Sequence, residues 1–215
     1  MLKELSGKPL IYWVIERVKR ATEVDYVILA TTDNELDLPL AEYAESLDVM
    51  VFRGSESDVL GRFADAVKHV DANIVVRVCA DNPLVDPEVI DYAVALFKQS
   101  SNEYMYNHIP RNGCRYPDGL GVEIFNRYTL ETLANTVKLM QHREHVTSYI
   151  WDNLERFAVN KVKCPAQWDA EDQPIKLDID SPEDLDSMRK LCATLNIEST
   201  AQEIIHAWRA IYIQE

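Results

Sequence analysis

The sequence has no long apolar run and no paired-cysteine pattern, and each absence excludes a class of protein. No stretch approaches the roughly 20 consecutive apolar residues that a membrane-spanning helix needs. The N-terminal residues, MLKELSGKPLIYWVIERVKR, are interrupted by charges throughout, unlike a secretory signal peptide. The four cysteines form no CxxC pair and have no histidine at zinc-ligand spacing. We therefore expect a cytoplasmic protein with reduced thiols and no membrane partner.

Positive charge is also scarce. The chain has 22 Lys and Arg against 36 Asp and Glu, a net charge of −14. Nucleic-acid partners are excluded on this ground, because phosphate contacts need a basic surface. A small anion held locally by Arg, Lys or a bound cation is still allowed. With 215 residues and 47% hydrophobic content, the chain suits a single domain, 1–215.

Two continuous apolar runs, YVILATT at 26–32 and IVVRVCA at 74–80, both lead into Asp-Asn. Such runs predict strands that are buried on both faces of a parallel sheet. Helical patterns alternate with them, and residues 49–54 predict a further strand. The expected fold class is α/β, a mainly parallel sheet flanked by helices with right-handed crossovers. The expected helices are residues 9–20, 38–47, 57–70 and 87–99.

After Ser100 the pattern changes, and we interpret residues 101–164 as a small inserted section. An insertion over the ligand edge of the sheet is a usual place for a substrate pocket or a dimer contact. EYMYNHI, VEIF and RFAVNKVKC predict strands there, RNGCRYPDGLG a loop, and residues 128–139 and 142–151 helices. Two helices, 182–195 and 201–213, close the chain.

Asp178 and Asp180 stand two residues apart in the stretch KLDIDSPEDLDSM. On a strand they would share one face, roughly 6–7 Å apart. Two carboxylates that close repel each other unless they are protonated, solvated or bridged by a cation. Ser181 and the residues after it predict a helix start, with Ser as N-cap and Pro at the first position. Solvated acids on an edge strand remain an alternative to a metal site.

Asp81 follows the second apolar run and could join that pair. Three carboxylates on one edge of a sheet, with open positions for water and phosphate, suit Mg²⁺. The alternative for Asp81 alone is a turn or capping aspartate.

Five stretches in order, FRGSESDVLGRF, VVRVCADNPLVDPEVID, YPDGLGVEIF, REHVTSYIW and LDIDSPEDLDSM, resemble the spore-coat polysaccharide type of cytidylyltransferase. This type is related to the acylneuraminate and 3-deoxy-manno-octulosonate cytidylyltransferases. The resemblance runs from Leu2 to about Leu195. It implies a Rossmann-like nucleotidyltransferase fold, and an enzyme that transfers CMP from CTP to a sugar acid with release of pyrophosphate. It also implies a homodimer through residues 101–164.

The resemblance assigns roles to residues. Asp81, Asp178 and Asp180 would hold Mg²⁺ against the triphosphate, and Asp81, Asp180 and Lys8 would be catalytic. The positions implied for nucleotide binding are Lys8, Arg53, Ser55, Asp58, Arg62 and Arg77, and those implied for substrate binding are Asp118, Glu123, Arg143 and His145.

Structural roles compete at several of these positions. Arg53, Ser55, Asp58 and Arg62 could form a turn, an N-cap and a surface salt bridge. Arg77, in an apolar strand, suits a structural ion pair better than a substrate contact. Gly119 and Gly121 could alone explain the YPDGLGVEIF motif through a tight loop, and Lys176 could pair with acids near Asp178 or reach a phosphate.

The sequence departs from the family at its start. Full-length relatives begin with an apolar strand and an Arg- and Ser-rich phosphate loop of the kind RxxSxRLPGK, whereas this sequence starts at MLKELSGKPLI. We expect the neighbouring strands to have unpaired backbone groups and the cationic cradle to be missing. Either Met1 is an internal methionine of a longer protein, or a short form exists with weak or no activity.

Two further functions stay open from the sequence. A metal-dependent glycosyltransferase would also use a DxD pair, but would take an intact sugar nucleotide. A non-catalytic partner that binds nucleotide sugars would fit the missing phosphate loop.

Overall fold

The chain opens with a short hairpin that leads directly into a helix. β1 (Glu4–Leu5) pairs antiparallel with β2 (Lys8–Pro9), and α1 (Leu10–Val18) follows. The computed structural model describes residues 1–108, 114–170 and 173–213. Within those residues every helix is too short or too polar to span a bilayer.

Alternating strands and helices make up the next part of the chain. They are β3 (Ile28–Thr32), α2 (Leu38–Glu45), β4 (Met50–Gly54), α3 (Val59–Ala66), β5 (Ile74–Val78) and α4 (Pro87–Lys98). β3 and β4 pair in parallel, as the α/β pattern predicts, with Ile28 opposite Met50. Asp86 caps α4, since its carboxylate accepts from the N–H groups of Glu88 and Val89.

The remaining elements are β6 (Tyr104–Tyr106), β7 (Val122–Asn126), α5 (Arg127–Thr136), α6 (Met140–Glu144), α7 (Ser148–Asp152), β8 (Val159–Lys161), α8 (Pro182–Cys192) and α9 (Ala201–Tyr212). β5, β7, β6 and β8 form a four-stranded sheet in that order. β7 is antiparallel to both neighbours, so this sheet is mixed. Strands from 101–164 therefore extend the sheet itself, rather than only covering its edge.

β3 and β5 were expected to be buried on both faces, but their residues are mostly only half-buried. In the described part of the chain, β3 pairs only with β4, and β5 pairs only with β7. One edge of each strand therefore lies open, and a gap separates the two-stranded sheet from the four-stranded one. Local pattern predicted the strands correctly, but could not show that one edge of each is unpaired in the described part of the chain.

Two apolar clusters hold the molecule together. The larger one joins α1, α4, α8 and α9, and the second joins α3, α5 and α7 to β6 and β7. Inside the larger cluster Arg17 is fully buried. Its guanidinium pairs with the Asp86 carboxylate and donates hydrogen bonds to the carbonyl oxygens of Val85 and Ile197.

Two predicted elements differ from the structure, and two others lie partly outside the described residues. The Asp178–Asp180 segment is not a ladder strand, because only an isolated bridge between Asp118 and Lys176 forms there. The single helix expected over 142–151 is two short helices, since His145 is extended between them. Parts of the predicted EYMYNHI strand and RNGCRYPDGLG loop, residues 109–113, lie outside the described residues.

Candidate functional site

An acidic cluster forms where three separate parts of the chain meet. Ile179 N–H donates to the Asp81 carbonyl oxygen at 3.1 Å, and Leu177 N–H donates to the Asp118 carbonyl oxygen at 2.8 Å. These main-chain bonds hold the segment containing Asp178 between the end of β5 and the loop before β7. Sequence reasoning predicted the meeting of Asp81, Asp178 and Asp180, and the structure brings them together with Asp118.

Lys176 lies at the centre of the cluster. Its Nζ is 2.7 Å from Asp178 Oδ2, 2.8 Å from Asp180 Oδ2 and 3.6 Å from Asp184 Oδ2. Burial alone would lower the pKa of this ammonium group, but the hydrogen bonds to Asp178 and Asp180 raise it. One lysine thus compensates the repulsion between the two carboxylates that the sequence placed side by side.

Asp184 fixes the end of this segment and was not among the predicted site residues. Its Oδ2 accepts from the N–H groups of Asp180 and Ser181, while Ser181 Oγ accepts from Asp184 N–H. This is a reciprocal capping box at the start of α8. The S-x-x-D spacing was the available signal, and it would have placed Asp184 beside Asp180.

Gly119 lets the loop before β7 approach the acidic segment. Its φ is +95°, and a Cβ there would lie 2.5 Å from the Leu177 carbonyl carbon. Any other residue would collide with the backbone that carries Asp178. The predicted tight loop at Gly119 is therefore confirmed, and its effect is to bring Asp118 against Lys176.

The surroundings of the acidic cluster shift the pKa values of its carboxyl groups in different directions. Burial raises the pKa of Asp81, and the charges of Asp178 and Asp180 raise it further. Burial, followed by the Asp178 charge, raises the pKa of Asp118 to about 6. Asp180 is exposed, and its hydrogen bond to Lys176 lowers its pKa. The cluster therefore has excess negative charge that would favour a cation.

Replacing Asp118 by Asn should stabilise the protein above pH 6. Because the pKa of Asp118 is raised in the folded state, the folded protein favours the protonated carboxyl. The stability that the protonated Asp118 contributes to the fold is therefore fully present below about pH 4 and is lost as the pH rises through about 6. We expect Asp118→Asn to add on the order of 1–2 kcal/mol at pH 7.5, after allowance for solvent screening, and almost nothing at pH 3.5. Urea unfolding at the two pH values measures this, and an equal effect at both would contradict it.

The donor set of the cluster fits Mg²⁺, which prefers carboxylate oxygens. Asp178 Oδ1 is buried and has no hydrogen-bond partner, so one hard oxygen is available to a cation. As the side chains stand, no three acidic, histidine or cysteine groups in the described ranges are arranged to enclose an ion. Lys176 Nζ instead occupies the position between Asp178 and Asp180, and binding of an ion would require it to turn away.

The structure places Arg77 and Glu123 in a buried network. Arg77 pairs with Glu123 across the β5–β7 ladder, and Glu123 also accepts from the hydroxyls of Tyr104 and Thr147. Burial opposes ionisation of Glu123, but Arg77, His108 and these hydrogen bonds lower its pKa below the usual value. Arg77 thus has the structural ion pair that its apolar strand suggested. Glu123 is 2% exposed and both of its carboxylate oxygens have partners in the protein, so the substrate role implied for it stays a prediction.

The predicted nucleotide-binding block is also held by internal contacts. Arg53 donates to the carbonyl oxygens of Thr32 and Asn34, and Arg62 donates to the Ser55 carbonyl oxygen. The Nε of Arg62 is buried with no hydrogen-bond partner in the protein.

Asp58 joins this block to the inserted section. It caps α3 through Gly61 N–H and pairs with Arg143 at 2.7 Å. Arg143 also donates to the carbonyl oxygens of Ala134 and Val137. Both residues thus have structural roles, as the alternative interpretation of Asp58 held.

Lys8 and His145 are both exposed. Lys8 is exposed in β2, with its Nζ 5.1 Å from the centre of the Tyr12 ring. Within the described residues no hydrogen bond connects it to Asp81, Asp178 or Asp180. His145 is exposed at the end of α6.

Comparison with known proteins identifies the family. The sequence model described as "Cytidylyltransferase" matches residues 1–206. The chain belongs to the cytidylyltransferase family. The predicted family and the α/β nucleotidyltransferase fold class are both confirmed.

Individual relatives agree with this assignment. A cytidylyltransferase structure from Leptospira borgpetersenii superimposes with a TM-score of 0.88 at 28% identity, covering 98% of this chain and 87% of that one. The spore coat polysaccharide biosynthesis protein SpsF of Bacillus subtilis is 29% identical over 196 residues, 89% of this chain and 78% of its own. A 3-deoxy-manno-octulosonate cytidylyltransferase of Geotalea daltonii is 32% identical over 104 residues, 48% of this chain and 40% of its own.

Proposed function

We propose that this cytidylyltransferase transfers CMP from CTP to a hydroxyl group of a sugar acid. In this reaction the sugar oxygen forms a bond to the α-phosphorus, and the bond from that phosphorus to the bridging oxygen of pyrophosphate breaks. The observation that supports the proposal most strongly is the cluster of Asp81, Asp178 and Asp180, in which Asp178 has an unpartnered buried oxygen.

In the proposed reaction these three carboxylates hold Mg²⁺. When bound, the ion would offset charge on the α-phosphate and on the leaving pyrophosphate. The chain itself contributes a fixed position for the donors, because Asp184 holds Asp180 N–H and the main chain of Asp81 holds Ile179. Lys176, whose side chain is partly exposed and pairs with Asp178 and Asp180, would be free to pair with a phosphate oxygen if it turned away from these carboxylates.

The proposed sugar-acid substrate is supported by the relatives' names, one of which specifies 3-deoxy-manno-octulosonate. Asp118 is the predicted substrate-side residue that the structure does place at the cluster. The pKa of Asp118 is raised above its usual value. A sugar hydroxyl that donates a hydrogen bond to Asp118 would lower this pKa and favour the ionised carboxylate over the protonated form. The predicted homodimer through residues 101–164 remains part of this proposal.

Pyrophosphate release from CTP tests the proposed function. The chain is incubated with CTP, Mg²⁺ and each member of a panel of sugar acids, and CMP-sugar formation is followed by mass spectrometry. We expect turnover with at least one acid, dependence on Mg²⁺, and much lower rates with ATP, GTP or UTP. Sugar transfer from an intact sugar nucleotide would favour a glycosyltransferase instead. CTP binding without turnover, for every acceptor, would favour a non-catalytic nucleotide-binding protein and overturn the proposal.

A further inference from the structure

The ammonium group of Lys176 is shared among three carboxylates. It donates hydrogen bonds to Asp178 Oδ2 at 2.7 Å and to Asp180 Oδ2 at 2.8 Å. It lies 3.6 Å from Asp184 Oδ2, which already accepts from the N–H groups of Asp180 and Ser181. One positive charge therefore compensates the Asp178–Asp180 pair, while Asp184 is held independently of it.

This pairing compensates the acidic cluster only in part. Asp178 Oδ1 is buried without a hydrogen-bond partner, although Lys176 holds the other oxygen of the same carboxylate. Besides burial, the charges of Asp178 and Asp180 still raise the pKa of Asp81. A single ammonium charge at these oxygens is thus a weaker counter-ion than a divalent cation in the same place.

The side chain of Lys176 can turn without a change in the path of the main chain. It is 43% exposed, and ion pairs this exposed add little to stability. The main chain on either side is held by other groups, since Leu177 N–H donates to Asp118 and Ile179 N–H donates to Asp81. Rotation of the Lys176 side chain would leave both of these bonds in place.

A groove between α8 and α9 offers the ammonium group a second position. The groove has a volume of about 170 Å³, and Lys176, Asp184, Trp208 and Tyr212 are among the residues that line it. The Tyr212 hydroxyl donates to the Ser187 carbonyl oxygen at 2.9 Å, and the ring centres of Trp208 and Tyr212 are 5.2 Å apart. An ammonium group is attracted to the face of a tryptophan ring and to a carboxylate, and the groove has both. Its volume is too small for most ligands but suits the end of a side chain.

We propose that Lys176 competes with a divalent cation for the oxygens of Asp178 and Asp180, and that the α8–α9 groove receives its ammonium group when the cation is bound. In the first position Lys176 bridges the two carboxylates, as in the structure. In the second position it lies against Trp208, with Asp184 as its counter-ion. The affinity of the site for the cation is then a difference between the two states. This inference rests on the Mg²⁺ site of the proposed function, but not on the transfer of CMP.

One substitution separates this role of Lys176 from two others. Lys176→Met keeps the apolar stem and removes the charge. If Lys176 competes with the cation, its loss should tighten cation binding. If it only fixes the segment that carries Asp178, its loss should weaken cation binding. If it only binds phosphate, cation binding without nucleotide should not change.

Mn²⁺ is the probe for affinity, because carboxylate sites bind it as well as Mg²⁺, and EPR counts the free ion without CTP or sugar present. We expect Lys176→Met to bind Mn²⁺ on the order of 10-fold more tightly than the parent. Lys190→Met is the matched control, since Lys190 is exposed on α8 and its loss removes the same charge. Its Kd should stay within about 2-fold of the parent. Lys176→Gln is measured beside Lys176→Met, so that an uncharged variant is available if the methionine variant does not fold.

Trp208 fluorescence tests the second position. Mg²⁺ is titrated into the parent, and the signal of Trp208 is obtained as the difference from Trp208→Phe. We expect a saturable change in the parent that is absent from Lys176→Met.

Equal or weaker Mn²⁺ binding by both Lys176 variants would overturn the proposal. A Trp208 signal that ignores Mg²⁺, or that responds equally without Lys176, would overturn it as well. A chain that shows the expected binding but forms no CMP-sugar would contradict the proposed function and not this inference.

Discussion

Asp178→Asn should lower the rate of CMP transfer by two to three orders of magnitude, on the order of 3–4 kcal/mol of transition-state stabilisation. Asp178 carries the buried Oδ1 that has no partner in the protein, and its Oδ2 is held by Lys176. The amide keeps the size of the side chain but removes the charge that would hold Mg²⁺. The measurement is kcat for pyrophosphate release across a Mg²⁺ titration, using the most active form of the protein.

The substitution should act on the reaction and not on the fold. Asp186→Asn is the matched control, because Asp186 is another aspartate of the same region, exposed on α8 and paired with Arg189. We expect its kcat to match the parent and both variants to unfold within about 1 kcal/mol of it. An Asp178→Asn protein with parental kcat at low Mg²⁺ would show that this carboxylate does not hold the ion.

The acidic cluster could be predicted because each of its parts has a local signal. Asp81 follows an apolar strand, and Asp178 and Asp180 stand two residues apart just before the helix start at Ser181. Topology then brings strand ends together at one edge of the sheet. For Lys176 the sequence left two alternatives, pairing with the acids near Asp178 or reaching a phosphate. Spacing alone does not tell whether a lysine turns toward its acidic neighbours or toward a ligand.

The roles of Glu123 and Arg143 could not be predicted, because their partners are remote in sequence. Glu123 meets Arg77 only through the register of β5 against β7. Arg143 reaches Asp58 because α6 packs on α3. Family resemblance assigned both to the substrate, and that role stays a prediction, whereas the structure shows that both hold elements of the chain together. A motif match does not distinguish a residue that contacts a ligand from one that supports its neighbours.

The open edges of β3 and β5 illustrate a related limit. Each apolar run predicts a strand with partners on both sides, because that is where such runs occur. Whether a partner is present depends on the rest of the sheet. Comparison with the family predicted unpaired groups on the neighbouring strands, and the structure shows that they flank a single gap.

Arg17→Met should destabilise the fold by about 3–5 kcal/mol at pH 7. Arg17 is fully buried, and its guanidinium donates to the carbonyl oxygens of Val85 and Ile197 as well as pairing with Asp86 at 3.3 Å. Methionine fills much of the space of the apolar stem but leaves Asp86 charged and buried. Urea unfolding measures the change, with Arg20→Met as control. Arg20 pairs with Glu198 at the surface, so its loss should cost less than about 1 kcal/mol.

The pH dependence separates lost charge pairing from lost packing. Burial already raises the pKa of Asp86, and the Arg17 charge opposes that rise. Without Arg17 the folded-state pKa of Asp86 should rise further, so the protonated carboxyl is favoured and its penalty falls as pH drops toward 5. Asp86→Asn in the Arg17→Met background should likewise recover part of the stability at pH 7, because the amide can still cap α4. The Arg17→Met variant could instead lose the same free energy of unfolding at pH 5 and pH 7, with no recovery in the double variant. That result would mean that packing of the Arg17 stem, and not the ion pair, joins α1 to α4.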